Sequence, residues 1–428
     1  MEEWKEYKLG DVAGVKGGKR LPKGVNLVKE PNTHPYIRVR DLGTKRFLEL
    51  DCTYEYVDDE TQKSIARYIV NTGDIIISIV GTIGLTAIIG ESLNYANLTE
   101  NCVKLINIKG LNRDYLYYYL ISDCGKQEIE RGIVGAVQAK LPIKNIQSIS
   151  IKAPSLETQK RIASILSSLD DKIEVNRKIN ANLEQQAQAL FKSWFVDFEP
   201  LKNGEFVESE LGMIPKGWRV GRYDDIIEST ISGDWGKEKP EGNYTHRVAC
   251  IRGCDFQDIK NGLRGKTPER YILEKNFLTK HFKDKDVLVE ISGGTATVST
   301  GRVCPVSQLL IDKFNEDIVC TNFCRLVRPK PSYGAYLYYS WLYKFNNKVM
   351  FGYENGTSGI KNFRIKDFTS LEPIVIPSEP SLQLFQSMID KLQMKLQMNG
   401  SESQKLASLR DILLPKLMSG ELKVNEIA

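Results

Sequence analysis

Four cations in eight positions, Lys16, Lys19, Arg20 and Lys23, stand among Gly17, Gly18, Pro22 and Gly24, and no acid lies between Asp11 and Glu30. A basic loop punctuated by glycine and proline can bring charge and backbone N–H groups to a phosphate or a base edge, or it can simply be solvated. A second segment, Ser232-Gly233-Asp234-Trp235-Gly236-Lys237-Glu238-Lys239, is less basic and adds an aromatic ring that either stacks on a ligand or packs. Gly81-Thr82-Ile83-Gly84 and Gly293-Gly294-Thr295 each follow an apolar run of strand type, so Thr82 and Thr295 lie where backbone can approach a phosphate closely, or where a plain turn needs no ligand. Gln138, Lys140, Lys361, Asn362 and Arg364 offer the amide and cationic groups that pair with adenine, guanine or phosphate. Arg38, Arg40 and Arg252 fall in matched runs read as strands. Alternation there puts Arg38 and Arg40 on one face, to read bases or to pair with Asp41, as Arg252 can with Asp255.

The remaining chemistry-bearing residues form no catalytic set. Gly262-Leu263-Arg264-Gly265-Lys266-Thr267 ends like a phosphate-binding loop, but Lys260 occupies the place of its required first glycine. Cys250, Cys254, Cys320 and Cys324 form two pairs at zinc-like spacing. The pairs lie in runs read as strands, however, and Tyr36 and Arg40 hold the matching places in the first half, so no metal site is expected. His34, His246 and His281 have no neighbouring Ser/Asp arrangement suited to nucleophilic catalysis. The tyrosine runs at 115–119 and 336–343 can be taken for stacking platforms, but their helical spacing with Leu116, Leu120, Leu337 and Leu342 favours core helices.

What must position these residues is a plan written twice. Tyr36-Ile37-Arg38-Val39-Arg40-Asp41-Leu42 answers to Cys250-Ile251-Arg252-Gly253-Cys254-Asp255-Phe256, and Asp74-Ile75-Ile76-Ile77-Ser78-Ile79 answers to Asp286-Val287-Leu288-Val289-Glu290-Ile291. Residues 143–154 match 365–377, and the offset drifts from 214 (Tyr36 to Cys250) to 223 (Pro154 to Pro377), as loop insertions dictate. Each copy ends in a long amphipathic segment. In the first, Ile162, Leu166, Leu169, Ile173, Asn176, Asn180, Leu183, Ala187, Leu190 and Trp194 step by fours and threes, the seam of a coiled coil. A helix of roughly 35 to 40 residues spans about 55 Å. In the second, Leu382, Phe385, Ile389, Leu392, Leu396, Asn399, Leu406, Leu413 and Leu417 repeat the pattern less regularly. Asn399-Gly400-Ser401 is a poor helix interior there, and Pro415 should kink or end the helix. Asn176 and Asn180 either set the register of the two helices or face solvent where the seam frays. The expected fold is α+β, a tandem duplication with pseudo-twofold symmetry whose two long helices pack as an antiparallel coiled coil.

Composition sets wide bounds. The chain has 428 residues, 41% apolar and 26% charged, enough for at least two domains. No apolar run reaches the roughly 18 residues needed to cross a bilayer, and Met1-Glu2-Glu3-Trp4 is unlike a secretory signal, which points to the cytoplasm. The eight cysteines are scattered through a chain too large to need disulfides, so most are expected as buried thiols, and the net charge of +5 hints weakly at an anionic partner.

The junction Leu190-Phe191-Lys192-Ser193-Trp194-Phe195-Val196-Asp197-Phe198-Glu199-Pro200, with Ser209-Glu210-Leu211-Gly212-Met213-Ile214-Pro215-Lys216-Gly217-Trp218 after it, closely resembles the centre of specificity subunits of type I restriction–modification enzymes. Leu409-Arg410-Asp411-Ile412-Leu413-Leu414-Pro415-Lys416-Leu417-Met418-Ser419-Gly420-Glu421-Leu422 is similar to that family's usual ending, where Pro415 is expected. Pro154-Ser155-Leu156-Glu157-Thr158-Gln159-Lys160-Arg161-Ile162-Ala163 resembles the entry into its first spacer helix, and Pro380-Ser381-Leu382-Gln383-Leu384-Phe385 is a looser second-half partner. The resemblance implies target-recognition domains at 1–154 and 201–377, spacer helices at 155–200 and 378–428, and a noncatalytic subunit. Each domain would read one half of a split, asymmetric double-stranded DNA target. The helices would fix the spacing and dock two modification subunits, adenine methyltransferases, with restriction subunits joining through the complex to defend the host against foreign DNA. S-adenosylmethionine would then be bound by the methyltransferase, and ATP and Mg by the restriction subunit. The chain itself has no Asn/Asp-Pro-Pro-aromatic tetrapeptide such as amino-methyltransferases carry, so methyl transfer belongs to a partner.

Overall fold

The computed structural model describes residues 4–43, 45–295, 297–356 and 360–424. Residues 1–3, which carry the acidic start, and 425–428, which close the last expected segment, lie outside the described residues. The chain mixes helix and sheet and forms two compact units, Met1–Ile173 with Leu406–Ala428, and Glu174–Lys405. The boundary falls inside both long helices, Leu156–Phe195 and Glu379–Ser419.

In the first unit a five-stranded sheet runs in the order Gly14–Gly17, Cys102–Ile106, Ile75–Ser78, Thr86–Ile89, Phe47–Leu48. Its central strand Ile75-Ile76-Ile77 is an unbroken apolar run because both faces are covered. Ile75 and Ile77 face Tyr115, Leu116 and the helices' Ile162, Leu166 and Leu417, whereas Ile76 faces Ile37 and Leu98 of a smaller sheet. That smaller sheet joins Glu55–Tyr56, Pro35–Ile37 and Asn97–Leu98, the last pair parallel. Lys5–Lys8 pairs with Ser150–Ala153 directly before the long helix.

The second unit repeats the first four strands of this order with other residues. Ile227–Ser232, Cys324–Pro329, Val287–Glu290 and Val303–Pro305 form its main sheet, and Val287 and Val289 alternate with Leu288 between two cores. Glu269–Leu273, Tyr244–Ile251 and Asp317–Cys320 form the smaller sheet, again with one parallel pair, and Arg219–Arg222 pairs with Pro373–Ile376. The tyrosine runs are core helices in both units: Tyr115, Tyr117, Tyr118, Tyr119, Tyr336, Tyr338 and Tyr339 are all buried. A glutamine from each long helix closes the start of the neighbouring tyrosine helix. Gln159 accepts the Asn112 N–H at 2.8 Å, and Gln386 accepts that of Ala335 at 2.8 Å.

Inside each unit the long helices lie against one another with residue numbers running in opposite directions. In the first unit Ile162 and Leu166 share a core with Leu414 and Leu417, Leu413 packs on it, and Arg410 bonds Asp170 at 2.7 Å. In the second, Asn176 donates to Glu402 at 2.8 Å and Asn180 to the Leu396 carbonyl at 3.1 Å, while Phe191 and Phe195 meet Phe385. Leu169, Ile173, Leu183, Leu190, Trp194, Leu392 and Leu406 are only half-buried, and Leu396 is buried. Phe191 and Phe195, outside the heptad seam, are more deeply packed than Leu190 and Trp194.

Several expectations are corrected. The strand before Arg38 ends at Ile37 and the chain turns into a 3-10 helix, Val39–Asp41, so Arg38 and Arg40 do not alternate on a strand; Arg252 likewise precedes the 3-10 helix Gly253–Asp255. The cause is an Arg-x-x-Asp motif in which the carboxylate accepts the arginine's own N–H, Asp41 from Arg38 at 2.7 Å and Asp255 from Arg252 at 3.0 Å. The same turn places Cys254 off the strand and exposed, whereas Cys250, Cys320 and Cys324 are buried, with burial pushing the Cys250 and Cys324 thiols up to about 12. The second long helix runs unbroken past Asn399-Gly400-Ser401 and through Pro415 to Ser419. Gly400 is demanded by packing, and Pro415 removes one backbone donor but stands only four residues before the helix ends, so a single turn follows it.

Candidate nucleic-acid interface

The first unit gathers separate sequence candidates around one short segment, Thr99-Glu100-Asn101, which sequence reasoning passed over. Gly18 and Lys19 dock their N–H groups on the carbonyls of Cys102 (3.0 Å) and Leu98 (2.8 Å). Gly18 is glycine because a Cβ there would meet the Thr99 carbonyl oxygen at 2.0 Å. Thr99 donates its N–H to the Ile37 carbonyl, beside the Arg38 turn, and the Asn101 carbonyl accepts the Ile79 N–H at 2.8 Å. Ile79 in turn accepts from Leu141 at 3.0 Å, and Val80 bridges to Lys140, which brings Thr82, Gln138 and Lys140 to the same corner.

Between these segments lies a recess of about 380 Å³ lined by Arg20, Leu21, Leu27, Tyr36, Arg38, Val39, Arg40, Thr99, Glu100 and Asn101. Its charges are graded. Arg20 is 80% exposed and bonds Glu100 at 2.6 Å. Burial works to raise the Glu100 carboxyl, but the Arg20 and Thr99 hydrogen bonds carry it below its usual value. Arg40 and Arg38 both pair with Glu55 and Asp41, but Arg40 is 59% exposed whereas Arg38 is 20% exposed and also gives its own N–H to Asp41. Arg38 therefore supports the turn, and Arg20 and Arg40 are the cations at the mouth. Lys16, Lys19, Lys23, Thr82, Gln138 and Lys140 are exposed, with Lys19 also 5.7 Å from the Tyr68 ring.

The second unit builds the same junction on Thr321-Asn322-Phe323. Thr321 donates to the Ile251 carbonyl at 3.0 Å, Asp234 docks on the Cys320 carbonyl at 2.7 Å, and a Cβ at Gly233 would meet the Thr321 carbonyl oxygen at 2.0 Å. Phe323 accepts from Ile291 at 2.8 Å, and Ile291 from Phe363 at 2.8 Å. Ser292 and Gly293 pair with Asn362 and Lys361, so Thr295, Lys361 and Asn362 share one corner. Phe323 itself is exposed. Other candidates are engaged elsewhere. Arg252 clamps Asp255 and the Lys266 carbonyl, Lys361 pairs with Glu354 at 2.9 Å, and Arg364 holds Asp367 at 2.5 Å and the Gly352 carbonyl at 2.9 Å. Trp235 is exposed, with the Arg270 guanidinium 4.1 Å from its ring. Lys237 meets Glu241 at 3.3 Å and lies 5.8 Å from the Tyr244 ring, and Lys239 is exposed. The signal for the missed segments was present in the sequence: Thr-x-x-Cys occurs at the same place in both halves, Thr99 to Cys102 and Thr321 to Cys324.

Comparison with known proteins agrees with this architecture. Residues 1–185 match the family model described as type I restriction modification DNA specificity domain. The chain is 28% identical to the type I restriction enzyme MjaIX specificity subunit of Methanocaldococcus jannaschii, over 100% of this chain and 95% of the relative. It is 27% identical to the HindI specificity subunit of Haemophilus influenzae, over 99% and 100%. The crystal structure of a type I restriction-modification system S subunit from M. genitalium shares the fold, with a TM-score of 0.51 at 15% identity, covering 97% of this chain and 96% of that one. A type I restriction modification DNA specificity domain over residues 1–185, relatives aligned from end to end and a strand order shared by both units make the chain similar, along its whole length, to the specificity subunits of type I restriction enzymes.

Proposed function

We propose that this chain reads a split DNA target, one half with each unit, and carries no catalysis of its own. The observation that carries the reading is the same backbone junction built in both units around different side chains, Thr99-Glu100-Asn101 in one and Thr321-Asn322-Phe323 in the other. Equal scaffolds with unequal reading edges give two different half-sites and so an asymmetric target. Asparagine offers the bidentate pattern that suits adenine in the major groove, and the exposed lysines and arginines around it supply phosphate contacts.

The long helices are the spacer. Reversed pairing of the two helices within each unit supports the antiparallel coiled coil, and the repeated sheet order supports a pseudo-twofold between recognition domains at 1–154 and 201–377. Rigid helices can hold two readers about one turn of B-DNA apart, near 34 Å, where a flexible linker cannot. Val175, Ile179, Met394 and Met398 in the second unit and Leu409 and Ile412 in the first leave apolar surface exposed on these helices. Such surface marks a docking face, here for modification subunits that bring S-adenosylmethionine, and through them for restriction subunits that bring ATP and Mg. No helix among the described residues is long and apolar enough to cross a membrane.

The test is base preference in paired variants. With the chain copurified with its modification subunit, Asn101→Ala should relax recognition in one half-site only and Asn322→Ala in the other, each by about 1–3 kcal/mol at the affected base pair. Variants that relax both halves alike, or neither, count against the reading.

A further inference from the structure

Inside the second unit the recognition domain meets the second long helix backbone to backbone. Gly262 and Gly400 face each other so closely that a Cβ on Gly400 would lie 2.3 Å from the Gly262 carbonyl oxygen. A Cβ on Gly262, whose φ is +76°, would lie 2.8 Å from the Leu396 carbonyl oxygen. Around this contact the turn's carbonyl groups are taken by helix side chains: Asn180 donates to Asn261 at 3.1 Å, and Gln397 to Ile259 at 3.3 Å. Asn180 also accepts from Asn399 at 2.9 Å, so both long helices grip the same turn. Lys313, from the domain, closes the ring by donating to Gly262 and to Gln397. The corresponding place in the first unit uses separated charges instead, Arg46 bonding Asp171 at 2.9 Å and Asp114 at 3.2 Å.

Neutral carbonyl bonds and a glycine pair tolerate little sliding, because each bond needs its donor within a few tenths of an ångström and the glycines admit no added atom. We propose that this clasp is a positioning device that fixes where the second recognition domain sits along the helix pair and thereby how many unread base pairs the complex accepts between half-sites. The proposal rests on the split-target reading. Asn180, Gln397, Asn399 and Gly400 act through the domain they hold and not on DNA.

The experiment uses the full chain copurified with its modification subunit and measures methyl transfer from S-adenosylmethionine to duplexes. Both half-sites are kept at the sequences the unaltered complex selects, and the spacer is varied one base pair at a time. Gly400→Ala, and independently Lys313→Met, should lower the preference for the favoured spacer over its neighbours at least five-fold while leaving the base preferences of both halves unchanged. Thermal unfolding establishes which variants are folded, and if Gly400→Ala is not, Lys313→Met decides. Folded variants that keep the unaltered spacer preference overturn the proposal, and so does an equal fall in methylation at every spacer, which is what a merely structural role gives. If the unaltered complex selects no split target, the reading beneath the proposal has failed and the clasp's role falls with it.

Discussion

Among single residues, an arginine in a promising position is not thereby free to bind. Arg252 spends its guanidinium and its own N–H on the aspartate three places on, and Arg38 gives its N–H to Asp41 and its guanidinium mainly to Glu55, whereas Arg20 and Arg40, although also paired with acids, are largely exposed where they line the recess. Lys313 shows the cost of burial: desolvation drops its ammonium to about 8. In the unfolded chain a lysine titrates near 10.4, so between pH 8 and that value the unfolded state binds more protons and stability rises with pH. This contribution is complete above the unfolded value and lost as pH falls through 8. Comparing unaltered chain with Lys313→Met by thermal unfolding, the difference in midpoint should move in favour of the unaltered chain between pH 8 and pH 10. A pH-independent difference would show that Lys313 titrates normally. Sequence could nominate these cations by type and spacing, but their pairing depends on partners such as Glu55 and Gln397, which lie 17 and 84 places away.

Secondary-structure elements obey local rules until a neighbour overrides them. The heptad seam of the first long helix was legible, and Ile162, Leu166, Asn176 and Asn180 are buried as the spacing requires. Leu166→Ala should cost about 2–5 kcal/mol, and Leu169→Ala, at a half-buried position, distinctly less. Chemical denaturation monitored by helix signal compares the two; equal costs would contradict the packing of Leu166 against the first unit's core. Asn176 and Asn180 face the partner helix and not water, each with hydrogen bonds that only one alignment of the helices supplies, as register-setting polar residues do. Gly400 and Pro415 looked like breaks because helix propensity was read without the Gly262 turn that Gly400 must admit and without the helix end just beyond Pro415. The strand assignment for Arg38 failed for the opposite reason: the Arg-x-x-Asp turn is local, and its signal was in the sequence at Arg38, Arg222 and Arg252.

For the molecule as a whole, duplication was the strongest signal in the chain, and the two units repeat a sheet order that could be aligned from residues alone. The proposed reading edges were harder to find because Thr99-Glu100-Asn101 and Thr321-Asn322-Phe323 look like ordinary turn residues; the matched Thr-x-x-Cys marks their place in each half, but their backbone bonds to several distant segments appear only in the fold. The central claim is that two different readers share one ruler. Its most direct test is selection from a randomised duplex library by this chain copurified with its modification subunit in the presence of S-adenosylmethionine. The account predicts enrichment of a split motif with two unlike halves and an unread spacer of one length. Enrichment of no sequence at moderate salt by an intact complex, or of a single uninterrupted motif, would contradict it.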